Sequence, residues 1–309
     1  MIKLLKRLSV ISSIGMAFIL LGGALVTKTD SGDGCGKTWP LCHGEFVPSS
    51  ITPELAIELS HRLVSGIVGV AVLALAFLAW RSLGYVREVK LLSFLSVFFL
   101  VLQGLIGAAA VMWGQSDYVL AAHFGISLIS FATVFLLMLL IFEVDKKFDA
   151  TTLVIQKKHR IEIYLLTAFT IFVVYTGALV RHASADFVCS SWPLCHNSNL
   201  LEFRHFNTLQ WIQMGHRFVA GLLFIWTFIF FLRMIRVYKN QKVMYWGWII
   251  TFGLIFLQVL FGALIIFTSV NLIIALFHAL FISCYFAMLS YFILLSSRSH
   301  INNTAKKSS

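Results

Sequence analysis

Eight long apolar runs constrain the fold of this chain more than any other feature of its sequence. Each run has about 20 residues or more, which is enough to cross a hydrocarbon core of roughly 30 Å as a helix. The runs cover residues 8–28, 56–80, 91–114, 118–143, 161–181, 209–235, 243–267 and 270–297. Of the 309 residues, 59% are hydrophobic and only 12% are charged, too few to cover a soluble domain. The sequence therefore predicts an all-α integral membrane protein with eight transmembrane helices.

The basic residues predict how these helices are oriented. Most of the 24 Lys and Arg residues lie in the two termini and in the loops at one end of the helices. The loops at the other end carry only Lys28, Lys37, Arg181 and Arg204. By the positive-inside rule, both termini are expected in the cytoplasm and the cysteine-bearing loops on the outer face. The net charge of +11 then reflects topology and attraction to membrane lipid, so no nucleic-acid partner is expected.

The sequence repeats itself with a shift of about 155 residues. LQGLIGAAAV at 102–111 matches LQVLFGALII at 257–266. Nearly the same shift relates GALV at 23–26 to 177–180 and WPLC at 39–42 to 192–195. We therefore predict two tandem four-helix bundles, residues 1–148 and 149–309. Because each half has an even number of spans, we expect a pseudo-twofold axis along the membrane normal.

Four histidines occupy matched positions near the outer ends of the even-numbered spans. They are His61, His123, His216 and His278, and the repeat relates the first to the third and the second to the fourth. An ionisable residue inside a span is costly and usually faces the bundle interior. A helix-packing hydrogen bond would explain any one of them equally well. Four at one membrane depth favour the binding of a ligand.

Two histidines per half suit a haem better than a zinc or copper ion. Zinc and copper usually take three or four protein ligands, whereas a haem needs only axial ligands from two facing helices. Small residues at 107–110 and 262–263 leave room for a flat macrocycle, although they are also common packing residues in membranes. Arg62 and Arg217, each next to a histidine, either pair with haem propionates or contact a polar group of the interior.

The two halves differ beside the first histidine of each pair. ELSHR has Glu58 three residues before His61, whereas QMGHR has Gln213 three residues before His216. Residues three apart share a helical face, so Glu58 is expected to lie on the side of His61. A carboxylate accepts or relays protons, whereas an amide does not titrate. The alternative is a glutamate that only interacts with the dipole at its helix N-terminus.

Four of the five cysteines form two close pairs in the loops predicted to be outside. Cys35 and Cys42 belong to CGKTWPLC, and Cys189 and Cys195 belong to CSSWPLC. An oxidising compartment favours disulfides, and neither pair has the CxxC spacing of a thioredoxin-like site. Each pair either staples its loop or exchanges electrons with a thiol partner.

Several segments together resemble a known family. They are GGALVTKTDSGDGCGKTWPLCHG, ELSHR, HFGISLIS, VYTGALVRH, QMGHR and FHALFISCYF. This combination resembles the haem A synthases, in the bacterial short form with two cysteine pairs, over nearly the whole chain. The resemblance implies an oxidoreductase of the bacterial cell membrane that converts a methyl substituent of haem O to the formyl group of haem A. The product would serve cytochrome oxidase assembly.

The resemblance also implies roles for individual residues. His216 and His278 would ligate a resident haem b in the C-terminal half. His61 and His123 would be the axial ligands of the substrate haem in the N-terminal half, where Glu58 would be the essential acidic residue. The resemblance further implies two disulfides, Cys35–Cys42 and Cys189–Cys195.

Two other classes of protein are consistent with paired histidines. One is a membrane two-haem b-type electron-transfer cytochrome, and the other is a haem carrier or transporter with the WPLC loops as gates. The cytochrome is disfavoured because a transmembrane electron path needs haems at two depths. The expected partners of the enzyme are the haem O synthase that supplies its substrate and a thiol–disulfide or electron-transfer partner.

Overall fold

Eight long helices make up the architecture. The computed structural model describes residues 1–46, 48–114, 116–146, 148, 150, 153–195 and 205–308. The helices are α1 (Ile2–Lys28), α2 (Pro53–Leu83), α3 (Arg87–Trp113), α4 (Asp117–Val144), α5 (Lys157–His182), α6 (Thr208–Val237), α7 (Lys242–Phe267) and α8 (Leu272–Ser308). All eight are long and apolar enough to cross a membrane, and this described part of the chain forms no β-strand. The predicted all-α class with eight spans is confirmed, and the chain is a multi-pass membrane protein.

Capping groups extend several helices beyond their apolar runs. The side chain of Thr52 accepts a hydrogen bond from the amide of Leu55, with Pro53 in the first turn of α2. At the start of α6, Asn207 and Gln210 form a capping box in which each side chain accepts a hydrogen bond from the other's backbone amide. These caps satisfy backbone donors that would otherwise lack partners at a helix N-terminus. Both α2 and α6 therefore start several residues before their histidines.

The first compact unit comprises Met1–Lys147. Its four helices form a closed ring of neighbours, because α1 packs against α2 and α4, and α3 also packs against α2 and α4. An ion pair of 2.5 Å between Lys6 and Asp145 joins the start of α1 to the residue after α4. At the other end of this bundle, a short 3-10 helix, Ser31–Asp33, leads from α1 into the first cysteine loop.

The second compact unit comprises Phe148–Ser309. Its helices pack in the same cyclic order, with α5 and α7 each contacting α6 and α8. Trp248 lies at its centre, stacked on Phe292 at 4.5 Å between ring centroids and in edge contact with Phe230 at 4.8 Å. The hydroxyl of Ser299 accepts a hydrogen bond from the amide of Ile155. Each half is thus a four-helix bundle in its own right; the axis expected to relate them stays a prediction.

Candidate functional site

In the first unit, His61 and His123 each pack against a glycine of the preceding helix. His61 belongs to α2, and its ring packs against Gly22 of α1. A Cβ atom at Gly22 would lie 2.8 Å from Nδ1 of His61. His123 belongs to α4, and a Cβ atom at Gly107 of α3 would lie 2.8 Å from its Cε1 atom. Only glycine lets the neighbouring helices approach these rings so closely.

The second unit has similar contacts, although Gly177 is the repeat equivalent of Gly23 and not of Gly22. A Cβ atom at Gly177 of α5 would lie 2.9 Å from Cε1 of His216 on α6. One at Gly262 of α7 would lie 3.0 Å from Cε1 of His278 on α8. All four predicted histidines therefore pack against a glycine of the preceding helix, which restricts where each imidazole can lie.

Hydrogen bonding fixes the tautomer of His216. The hydroxyl of Thr176 donates its single hydrogen to the carbonyl of Val173 at 2.7 Å. Its oxygen lies 2.9 Å from Nδ1 of His216 and therefore accepts a hydrogen bond from that nitrogen. The lone pair of the ring is then on Nε2, the nitrogen left free to bind a metal.

In the described part of the chain, His61 lacks the hydrogen bond that His216 makes through Nδ1. The repeat places Gly22 at the position of Thr176, so no hydroxyl is available at the ring. Nδ1 of His61 is buried and makes no hydrogen bond within the described ranges. The ring of His61 is thus positioned by packing alone, whereas the ring of His216 is also held by a hydrogen bond.

Gln258 contacts both nitrogens of His278. Nδ1 of His278 lies 3.0 Å from the carbonyl of Gln258 and donates to it, so Nε2 carries the lone pair. The side-chain amide of Gln258 lies 2.9 Å from Nε2 and donates to that nitrogen. This amide would have to rotate away for His278 to bind a metal through Nε2.

Glu58 and Gln213 are buried equivalents that hold the two cysteine loops. One carboxylate oxygen of Glu58 accepts a hydrogen bond of 2.7 Å from the amide of Cys35. The side-chain oxygen of Gln213 accepts one of 2.8 Å from the amide of Cys189. The same structural role is therefore performed by a charged group in one unit and by a neutral one in the other.

The arginines after the histidines also bind these loops. Nη1 of Arg62 donates to the carbonyls of Thr38 and Leu41 at 2.7 and 2.8 Å. The remainder of its guanidinium pairs with the second carboxylate oxygen of Glu58. This ion pair neutralises a buried carboxylate that would otherwise be costly. Contact with haem propionates stays a prediction for Arg62.

Arg217 holds the second loop in the same way but without an acidic partner at position 213. Its Nη1 atom donates to the carbonyls of Ser191 and Leu194 at 2.7 and 3.1 Å. A propionate contact stays a prediction here as well. The loops themselves are closed by the disulfides Cys35–Cys42 and Cys189–Cys195.

Paired imidazoles fit a haem better than a closed metal site. In the part of the chain that the structure describes, no three His, Cys, Asp or Glu side chains form a group that could hold a metal ion. Each unit instead offers two half-buried histidines from two helices, both packed against glycine. This donor set suits a macrocycle that needs only axial ligands.

Eight spans and a duplicated pair of histidine sites define an integral membrane protein built from two similar helical bundles. Comparison with known proteins gives its family. The sequence model of COX15-CtaA, described as cytochrome oxidase assembly protein, matches residues 6–290. The chain therefore belongs to this family of cytochrome oxidase assembly proteins.

Curated relatives are similar over nearly their whole length. A protein of Oceanobacillus iheyensis named Heme A synthase is 59% identical over 298 residues, 96% of each chain. A protein of the same name in Lysinibacillus sphaericus is 52% identical over 98% of this chain and 99% of its own length. Another in Geobacillus kaustophilus is 55% identical over 95% of this chain and 92% of its own.

The contact between Gly107 and His123 predicts opposite effects of two alanine substitutions on α3. Gly104 has open space around it, so Gly104→Ala should gain up to about 1 kcal/mol of helix propensity. Gly107→Ala should instead lose about 1–3 kcal/mol from overpacking against the ring. Thermal unfolding in detergent should show a lower midpoint for Gly107→Ala than for wild type. An unchanged or higher midpoint would contradict the contact.

Proposed function

We propose that this chain oxidises the methyl substituent of haem O to the formyl group of haem A, as the name of its relatives indicates for them. The observation that carries the proposal is the difference between Glu58 and Gln213. Both side chains are buried and hold a cysteine loop, but only one has a charge. That carboxylate lies in the unit of His61 and His123, which we take as the substrate site.

The chemistry explains why one site needs a carboxylate. With water as the source of the formyl oxygen, conversion of a methyl to a formyl group releases four electrons and four protons. Glu58 lies one turn before His61 on α2, so it is positioned to accept or relay these protons. Arg62 and the amide of Cys35 bind its two oxygens and keep the group at a defined place. Gln213 could not accept a proton in this way.

The second unit suits a resident cofactor, which we propose to be haem b with His216 and His278 as axial ligands. When bound, haem b supplies one-electron redox chemistry. The hydrogen bond from Nδ1 of His216 to Thr176 orients the ring and raises the basicity of Nε2. Such support favours permanent retention of a cofactor. The ring of His61 has no such bond, which suits a site where substrate must enter and product must leave.

The assignment of the two ends of the helices to membrane faces follows from charge. The loops at the cysteine end are poor in Lys and Arg, so we propose that both termini are cytoplasmic and the disulfide loops are on the outer face. Both disulfides lie at the histidine end of their bundle, tied to it by Glu58 and Gln213. A stapling role for the disulfides accounts for these contacts, and exchange with a thiol partner is the alternative role.

The reaction also defines neighbouring steps. A prenylating enzyme, the haem O synthase, has to supply the substrate, and cytochrome oxidase assembly consumes the product. With water as the source of the formyl oxygen, an electron-transfer partner accepts the four electrons taken from the methyl carbon.

Haem extraction tests this function directly. Cells that produce haem O should accumulate haem A when they express the wild-type chain. Glu58→Gln should reduce haem A formation at least 100-fold, at the lower end of a typical general acid–base contribution of about 10²–10⁴. The variant should fold, because Gln213 occupies the equivalent position with its loop hydrogen bond intact. Glu54→Gln is the control, since Glu54 is an exposed carboxylate one turn earlier on α2.

The same extraction separates the alternatives. An electron-transfer cytochrome or a haem carrier would leave the haem O of these cells unchanged. Normal haem A production by Glu58→Gln would remove the proposed role of the carboxylate.

Replacement of single histidines should separate the two sites. His216→Ala and His278→Ala should each abolish the low-spin spectrum of the resident haem in the purified protein. His61→Ala is the matched control, because it removes an equivalent ligand in the other unit. It should keep the resident spectrum and lose haem A formation. A full complement of low-spin haem in His216→Ala would contradict the assignment.

Thr176 should tune the resident haem through His216. Thr176→Val removes the hydrogen-bond acceptor and should weaken haem retention about 10–100-fold. It should also raise the midpoint potential, because the ligand becomes less basic. Thr167→Val on the same helix is the control, since within the described ranges the hydroxyl of Thr167 bonds only the carbonyl of Ile163. Redox titration would refute the role if both variants had the wild-type potential.

A further inference from the structure

An apolar groove of about 610 Å³ lies between α1 and α2 of the first unit. Its lining includes Gly15, Phe18, Gly22, Val64 and Val68, and His61. Phe18 is 62% exposed and Val64 40% exposed, so the groove is open to the surroundings of the bundle. The volume is in the range of small-molecule sites, roughly 300–1,000 Å³. The groove therefore connects the surroundings of the bundle with the imidazole of His61.

The second unit has larger side chains on the corresponding faces of α5 and α6. The repeat places Phe169 at the position of Gly15 and Trp211 at the position of Ala56, which also lines the groove. Phe169 packs against Trp226 of α6, with 5.9 Å between ring centroids. Two positions that are small in the groove of the first unit are therefore aromatic in the second, and one of these aromatic rings packs against α6.

We propose that the groove binds the long isoprenoid chain of haem O and is its lateral route from the bilayer. This inference rests on the proposed function, because it needs haem O at His61. Haem O differs from haem b in its hydroxyethylfarnesyl chain, which is branched, apolar and much longer than any other substituent. Such a chain needs an apolar site that is continuous with the axial ligand.

The difference between the units agrees with this occupant. Haem b has no isoprenoid chain, and the unit assigned to haem b carries Phe169 and Trp211 where the groove has Gly15 and Ala56. Gly15 also brings α1 close to α2, since a Cβ atom there would lie 2.7 Å from Cγ2 of Val68. Close contact between α1 and α2 therefore forms one part of the groove, and Phe18 and Val64 also line it. A membrane acyl chain is the rival occupant, and it would not distinguish one haem from another.

Binding measurements with two haems test the proposal. Haem O and haem B, which lacks the chain, are titrated into the purified protein that retains its resident haem, and binding is followed by the change in the Soret band. Wild type should bind haem O more than 10-fold more tightly than haem B, at a site that His61→Ala removes. Val64→Trp fills the groove and should weaken haem O binding at least 10-fold while haem B binding stays unchanged.

Val70→Trp is the matched control. It makes the same substitution on the same helix at an exposed position outside the groove, and it should leave the affinities for both haems unchanged. Ala56→Trp is a second groove-filling variant, carrying the residue that the second unit has at that position. The resident haem spectrum reports whether each variant is folded.

The outcomes separate this inference from the function on which it rests. If wild type binds no haem O, the proposed function fails as well. If wild type prefers haem O but both folded groove variants keep that preference, only the groove assignment is overturned. Equal affinity of wild type for the two haems would also overturn it, and would leave lipid as the occupant of the groove.

Discussion

Close contact between imidazole and glycine is the constraint on which both sites depend. Lipid offers little hydrophobic drive for helices to associate, so membrane helices rely on close packing across small residues. Here the small residues are Gly22, Gly107, Gly177 and Gly262, and in each case the group packed against the glycine is a histidine ring. The same contact therefore joins two helices and positions an imidazole ring. Any change of the interhelical distance would move the donor nitrogen with it.

The two bundles differ in the surroundings of this shared framework. Thr176 supports the ring of His216, whereas Gly22 leaves Nδ1 of His61 without such support. Near His61 the helices leave an open groove, while aromatic side chains occupy the corresponding faces near His216. These differences are consistent with one bundle that exchanges its haem and one that keeps it. The hydrogen-bonded loops are alike in both.

The sequence predicted the eight spans because membrane helices need long apolar runs, and length alone nearly fixes their number. An ionisable residue inside a span is conspicuous, so the sequence also drew attention to the four histidines; their role as haem ligands stays a prediction. It did not predict that Arg62 and Arg217 bind loop carbonyls. Nor did it predict the glycine contact of each ring, although the repeat had already aligned Gly107 with Gly262. Such contacts depend on the rotation of one helix against another, which hydrophobic patterns in a lipid-facing helix leave undefined.

The hydrogen bond from each cysteine loop to position 58 or 213 allows the two halves to diverge at this position without loss of the bond. Glutamate and glutamine offer the same oxygen to the loop amide, and their codons differ by one nucleotide. A duplicated bundle could therefore lose or gain its carboxylate in a single mutation without losing its loop. Duplication followed by this one exchange is a short evolutionary route to two bundles with the same loop contact, of which only one has a buried carboxylate there.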